Sequence, residues 1–149
     1  MSGAAPQVTL EDKPKARIAI ISASWHMDIC AQLVAGARRA CEAAGVKSIT
    51  EIYVPGSFEL PLAAQRAFED GVDGVIVVGL VLRGETPHFD YVCQGVTQGI
   101  MDVQLKFSRP IGFGVLMCDT LEQAHARCGV LGSKEDKGFD AAVAALTFL

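Results

Sequence analysis

Residues 73–82, DGVIVVGLVL, constrain the fold more than any other stretch of the chain. After the leading aspartate the run holds no polar side chain, so it has no face to offer to water. Its length falls well short of the roughly 18 residues that cross a bilayer, and β-branched residues dominate it. That combination selects a strand covered on both faces, and such strands belong to parallel sheets with helices above and below. The remainder of the chain must then supply partner strands and two helical layers.

It does so in alternation. RIAIIS (17–22), SITEIYV (48–54) and PIGFGVLMC (110–118) are further short apolar runs bounded by polar or turn residues. After ASWHMD, residues Leu33, Val34, Ala37, Cys41 and Ala44 recur on one helical face, and Gly45 is a natural stop. Leu60, Ala63, Ala64, Ala67 and Phe68 form the stripe of a helix over 58–70, where Pro61 is tolerated in the first turn. Val92, Cys93, Val96, Ile100 and Val103 mark a long helix over 89–107. Asp119 or Thr120 can cap TLEQAHARC (120–128), and KGFDAAVAALTFL (137–149) reads as a last helix. Strands alternating with helices imply right-handed crossovers. The predicted fold is therefore α/β, a three-layer α/β/α domain around a four-stranded parallel sheet, flavodoxin-like. At 149 residues the chain suits one such domain over 17–149, preceded by a flexible N-terminal arm over 1–16.

Composition removes several function classes. The net charge of −4, without a basic patch interleaved with aromatics, argues against nucleic acid as a partner. No apolar run is long enough to span a membrane, and the first residues lack the apolar segment of an export signal, so a cytoplasmic protein is expected. Cys30, Cys41, Cys93, Cys118 and Cys128 show no CxxC spacing and read as free thiols; His125 with Cys118 and Cys128 lacks the spacing of a zinc site.

Parallel sheets of this kind bind ligands beyond the carboxyl ends of their strands. Three predicted loops lie there, carrying Ser24–His26, Pro55–Glu59 and Arg83–His88. They offer aromatic rings for stacking, a carboxylate, histidines and amides at helix starts, which suit an anion. RGETPH (83–88) lacks the spacing of a Walker loop, and GxGxxG is missing, so neither nucleotide motif applies. Each residue also has a plainer reading: Trp25 packing over a strand end, Glu59 as a solvated first-turn residue, Arg83 in a surface ion pair, His26 as an exposed cap. His88 resists such a reading. It follows a proline turn at a helix start, where the positive end of the helix dipole favours neutral imidazole, able to accept a proton near pH 7.

VPGSFELPLAA, GLVLRGETPHFDYV, PIGFGVL and EDKG, in this order and spacing, resemble the motifs of the 6,7-dimethyl-8-ribityllumazine synthase family, from about Arg17 to the C-terminus. The resemblance implies an enzyme, a transferase of riboflavin biosynthesis. It would condense 5-amino-6-(D-ribitylamino)uracil with 3,4-dihydroxy-2-butanone 4-phosphate, without metal or organic cofactor. It implies that Trp25 stacks on the pyrimidine, that Ser57, Phe58 and Glu59 hold the ribityl chain and ring, and that Leu80, Val81 and Leu82 read the uracil edge. Glu85 and Thr86 would bind phosphate through their amides, His88 would transfer protons, and Phe113 would be a second stacking ring. Arg127 and Lys137 would be basic residues at the phosphate.

Phe113 lies early in the fourth predicted strand, and a helix running back through Arg127 would carry that residue to the same far end of the sheet. Both would then reach a site containing His88 only from a neighbouring subunit. A homo-oligomer with shared active sites is expected, consistent with the pentameric rings the resemblance implies. The connection between Arg127 and Lys137 is longer than in many shell-forming members, and MCDT stands where a TTDT-like run is more usual. A free pentamer is accordingly expected over an icosahedral shell. Two other readings remain at this stage. One is a non-catalytic flavin- or lumazine-binding protein of the same fold. The other is an unrelated flavodoxin-like phosphate binder, although the strand ends carry Ser, Gly and Arg and not the acidic cluster of a receiver domain.

Overall fold

The computed structural model describes residues 3–149. Strand β1 (Arg17–Ala23) leads to helix α1 (Met27–Ala43), strand β2 (Ser48–Val54), a single 3₁₀ turn (Ser57–Glu59) and helix α2 (Leu60–Glu69). Strand β3 (Gly74–Leu82), helix α3 (His88–Phe107), strand β4 (Ile111–Cys118), helix α4 (Leu121–His125) and helix α5 (Lys137–Leu146) complete the chain. The four strands form one parallel sheet in the order β2-β1-β3-β4. This is the expected flavodoxin-like three-layer α/β/α arrangement. One core cluster packs α1 and α5 on one face of the sheet, with Leu33, Ala37, Cys41, Ala142 and Leu146 against Ile18, Ile20, Ile76 and Val78. The other packs α2 and α3 beneath, with Leu60, Phe68, Val96 and Ile100 against Ala19, Ile21, Val75 and Val77.

The residues explain the elements. In β3, Gly74 to Leu80 are all buried, as a run without a polar face requires. Helix α1 stops at Gly45, whose φ of 71° is the left-handed conformation glycine adopts at low cost. Pro61 stands in the first turn of α2, where no backbone hydrogen bond is lost. Helix α5 lies unusually close to its neighbours: a Cβ on Gly138 would come 2.1 Å from the Leu33 carbonyl oxygen, and one on Gly112 2.1 Å from that of Ala141. Only glycines permit that approach.

Two helices are shorter than their patterns predict. Helix α5 ends at Leu146, before Thr147, Phe148 and Leu149. Helix α4 spans only Leu121–His125 of the predicted 120–128. Thr120 caps it, its hydroxyl accepting from the Gln123 amide, but Cys128 then pairs with Asp136 in an isolated antiparallel bridge and Gly129 takes a φ of 81°. Residues 3–16 add no strand to the sheet. Near their end the Lys13 amide donates to the Ala44 carbonyl, and its ammonium to that of Leu149, both at 2.7 Å.

Candidate active site

The sheet opens a cleft where its winding reverses, between the carboxyl ends of β1 and β3. Strand β1 pairs with β3 only as far as Ser22 with Val78, whereas β3 continues beside β4 to Leu82 opposite Cys118. Gly79 to Leu82 therefore run past β1, and their backbone groups on that edge have no strand partner. The cleft formed there has a volume of about 730 Å³, within the usual range for small-molecule sites.

Nine of the residues the family resemblance assigns to the site line it: Trp25, Ser57, Phe58, Glu59, Leu80, Val81, Leu82, Thr86 and His88. His26, Gly56, Gly84, Phe89, Tyr91 and Val92 complete the lining. Trp25 is 68% exposed, Phe58 62% and Tyr91 69%, so these rings are not core residues that merely border a hole. Trp25 lies against Gly56 just past the end of β2, where a Cβ would stand 3.3 Å from its ring, and still leaves most of its surface open. Tyr91 escaped the sequence reading, although its place three residues after His88 puts both on one side of α3. His26 takes a left-handed conformation (φ 55°) at the start of α1 without capping it through its side chain. That is an uncommon backbone for a side chain with a Cβ, held here at the mouth of the cleft.

The polar groups are few and specifically placed. Glu59 accepts a hydrogen bond from the Gly56 amide at 2.9 Å through Oε2, which orients its carboxylate at the cleft wall. The Ser57 hydroxyl is buried and, alone among buried side-chain polar atoms of the described residues, has no hydrogen-bond partner. It sits where Gly79 leaves room: a Cβ on Gly79 would stand 2.7 Å from Ser57 Oγ. An unpaired buried hydroxyl costs free energy unless something meets it, and this one borders the cleft. Thr86 Oγ1 accepts from the His88 amide at 3.4 Å, and His88 begins the twenty-residue helix α3. Glu85 is exposed beside Thr86 but does not line the cleft, and the amides of Gly84, Glu85 and Thr86 bond to no other backbone group among the described residues.

Phe113, Arg127 and Lys137 lie elsewhere. Phe113 pairs with Val77 in mid-sheet, five residues back from the edge where Cys118 meets Leu82, and is 40% exposed. For Arg127 the structure overturns the expected path. Because α4 has five residues, about 7.5 Å of rise, Arg127 remains near the carboxyl edge and is not carried to the far end. Its neighbours Ala124 and Cys128 pack with α1 and α5, so it belongs to the helical layer opposite α3. Arg127 Nε lies 3.6 Å and Lys137 Nζ 3.4 Å from the Glu135 carboxylate. Beside them, burial raises the Asp140 carboxyl above its ordinary range, with Lys137 opposing. The sheet thus separates this basic cluster from His88 within one chain.

A parallel sheet with an aromatic-walled cleft at its switch point defines a small-molecule-binding α/β protein of the flavodoxin-like class. The family model described as 6,7-dimethyl-8-ribityllumazine synthase matches residues 15–149. Proteins of that name from Kineococcus radiotolerans and Streptomyces coelicolor are 50% and 48% identical over 147 residues, covering 98% of this chain and 91% of each relative. One from Paenarthrobacter aurescens is 50% identical over 152 aligned positions, covering 98% of this chain and 94% of its own. The chain belongs to the 6,7-dimethyl-8-ribityllumazine synthase family.

Proposed function

We propose that this protein condenses 5-amino-6-(D-ribitylamino)uracil with 3,4-dihydroxy-2-butanone 4-phosphate, releasing 6,7-dimethyl-8-ribityllumazine, phosphate and two waters. The observation that carries the reading is the gathering of Trp25, Ser57, Phe58, Glu59, Leu80–Leu82, Thr86 and His88 into one cleft, in a chain of that family. The uracil edge suits the backbone of Leu80 to Leu82 on the edge that β1 leaves without a strand partner, and its ring suits stacking on Trp25. The ribityl hydroxyls offer Ser57 Oγ the partner it lacks, and Phe58 and Glu59 hold the chain alongside. The phosphate suits the free amides of Glu85 and Thr86 at the positive end of α3.

The chemistry needs proton movement more than it needs a nucleophile from the protein. The 5-amino group attacks the ketone carbon, water leaves as the imine forms, and phosphate is eliminated. The ribitylamino nitrogen then closes the ring with loss of the second water. His88 is the group in the cleft suited to accept and return protons, and such help is typically worth ~10²–10⁴-fold. Holding two substrates in reacting geometry accounts for much of the remaining acceleration.

Stacking by Phe113 and neutralisation of phosphate by Arg127 and Lys137 require a second copy of the chain. An exposed apolar set on α3 and the edge strand β4, including Met101, Leu105, Phe113 and Met117, supports such an assembly. We read it as a cytoplasmic homopentamer with sites shared between adjacent subunits. The test of the reaction is absorbance in the lumazine band when the protein meets both substrates. Its appearance with release of phosphate is expected; binding of the pyrimidine with no lumazine formed contradicts the proposal.

A further inference from the structure

Arg83 is exposed, yet its side chain ties the end of β4 to the start of α3. Its amide donates to the Cys118 carbonyl at 2.9 Å, which fixes its backbone to the end of β4. Its Nε donates to Asp119 at 2.6 Å, and another guanidinium nitrogen, Nη1, stands 3.7 Å from Asp90 in the first turn of α3. The guanidinium carbon lies 4.2 Å from the centroid of the buried Phe89 ring, a cation–π contact. Between Arg83 and Phe89 runs the whole stretch from Gly84 to His88, and every residue of it is exposed. Within it the His88 amide donates to Thr86 Oγ1 at 3.4 Å, and a Cβ on Gly84 would meet nothing within 4 Å. The position of the stretch is therefore set by its two ends, and Arg83 grips both.

We infer that Arg83 is a positioning residue, a clasp that closes the Gly84–Pro87 turn and holds the His88 imidazole in reacting geometry; this rests on the reading of His88 as the proton-transfer group. A surface ion pair alone contributes little to global stability, because solvent screens it. A displacement of about 1 Å at a reacting group can cost up to ~10²-fold in rate. The consequence of losing the clasp belongs in turnover, with the fold left as stable as before. The planar fork matters as well as the charge, since a lysine ammonium cannot at once stack on Phe89 and reach two carboxylates.

The test uses the assembled protein with both substrates and compares wild type, Arg83→Ala, Arg83→Lys, His88→Ala and Arg83→Ala/His88→Ala. Arg83→Ala should lower kcat on the order of 10-fold, with KM for the pyrimidine changed less than about twofold and Tm unmoved. Arg83→Lys should recover only a minor part of the loss. In the His88→Ala background Arg83→Ala should lower kcat by less than about twofold, because the group it positions is gone. An unchanged kcat, a loss of equal size in both backgrounds, or a fall in Tm parallel to kcat would each overturn the inference. Backbone ¹⁵N order parameters over Glu85–His88, measured without substrate, separate this from the reaction itself. Lower values in Arg83→Ala are expected, and unchanged values overturn the clasp whatever the protein's activity. A wild type that made no lumazine but showed the loosened turn in Arg83→Ala would contradict the proposed reaction and leave the clasp standing.

Discussion

His88 and Cys41 show how differently two titratable side chains are used. His88 is exposed at a helix start in the cleft, where a substrate can reach it. His88→Ala should lower kcat by about 10²-fold while the pyrimidine still binds, because positioning by the rest of the site survives. Steady-state kinetics with a direct binding measurement checks this, and complete loss of turnover in a folded, binding-competent variant would contradict the division of labour. Cys41 is fully buried between α1 and its neighbours, and burial pushes its thiol from 9.0 to about 11. The unfolded chain then loses that proton first as pH rises. The contribution of Cys41 to stability should therefore be full below pH 9 and be lost between pH 9 and about 11, an amount of order 2 kcal/mol. Urea unfolding of wild type and Cys41→Ala across that window should differ in slope, the variant being flatter; parallel slopes would contradict the assignment.

At the scale of elements, much was legible because each strand is short, apolar and bounded by turn residues. The unbroken apolar run of β3 required a doubly covered strand, and from it followed the parallel sheet and the edge on which the cleft lies. Ser24 to His26, Pro55 to Glu59 and Arg83 to His88 could be placed together from topology alone, whereas Leu80 to Leu82 entered the site only through the family resemblance. Gly45 marked the end of α1, but periodicity could not show where α4 ends. Helical periodicity through Cys128 hid the bridge to Asp136 that stops α4 after His125, and with it the true position of Arg127. The closeness of α5 was equally hidden, since a glycine at a helix start carries no periodic signal. Gly138→Ala would thrust a Cβ to 2.1 Å from the Leu33 carbonyl, so the backbones must part. A destabilisation of roughly 2–3 kcal/mol is expected in chemical denaturation. A change within about 0.5 kcal/mol would show that α5 can shift freely.

At the scale of the whole molecule, one chain holds a cleft with exposed aromatic rings and His88, the proposed proton carrier, and it holds a basic cluster on the other side of its own sheet. Among the described residues Arg127 meets the Glu135 carboxylate and the Gln123 carbonyl, and Lys137 the Glu135 and Asp140 carboxylates. In the proposed ring each site is built across an interface, the cleft of one subunit meeting the basic cluster of its neighbour. A closed cyclic arrangement satisfies every cleft with the cluster of the next subunit. The measurement that tests this most directly mixes two impaired variants, His88→Ala and Arg127→Ala, by refolding or co-expression in equal amounts. Lumazine formation is then followed at a low concentration of the phosphate-bearing substrate. Random mixing pairs an intact His88 with an intact Arg127 at about a quarter of the interfaces, so activity should rise well above that of either variant alone. Activity no greater than the mean of the two separate variants, in rings shown to be mixed, would contradict a site shared between subunits.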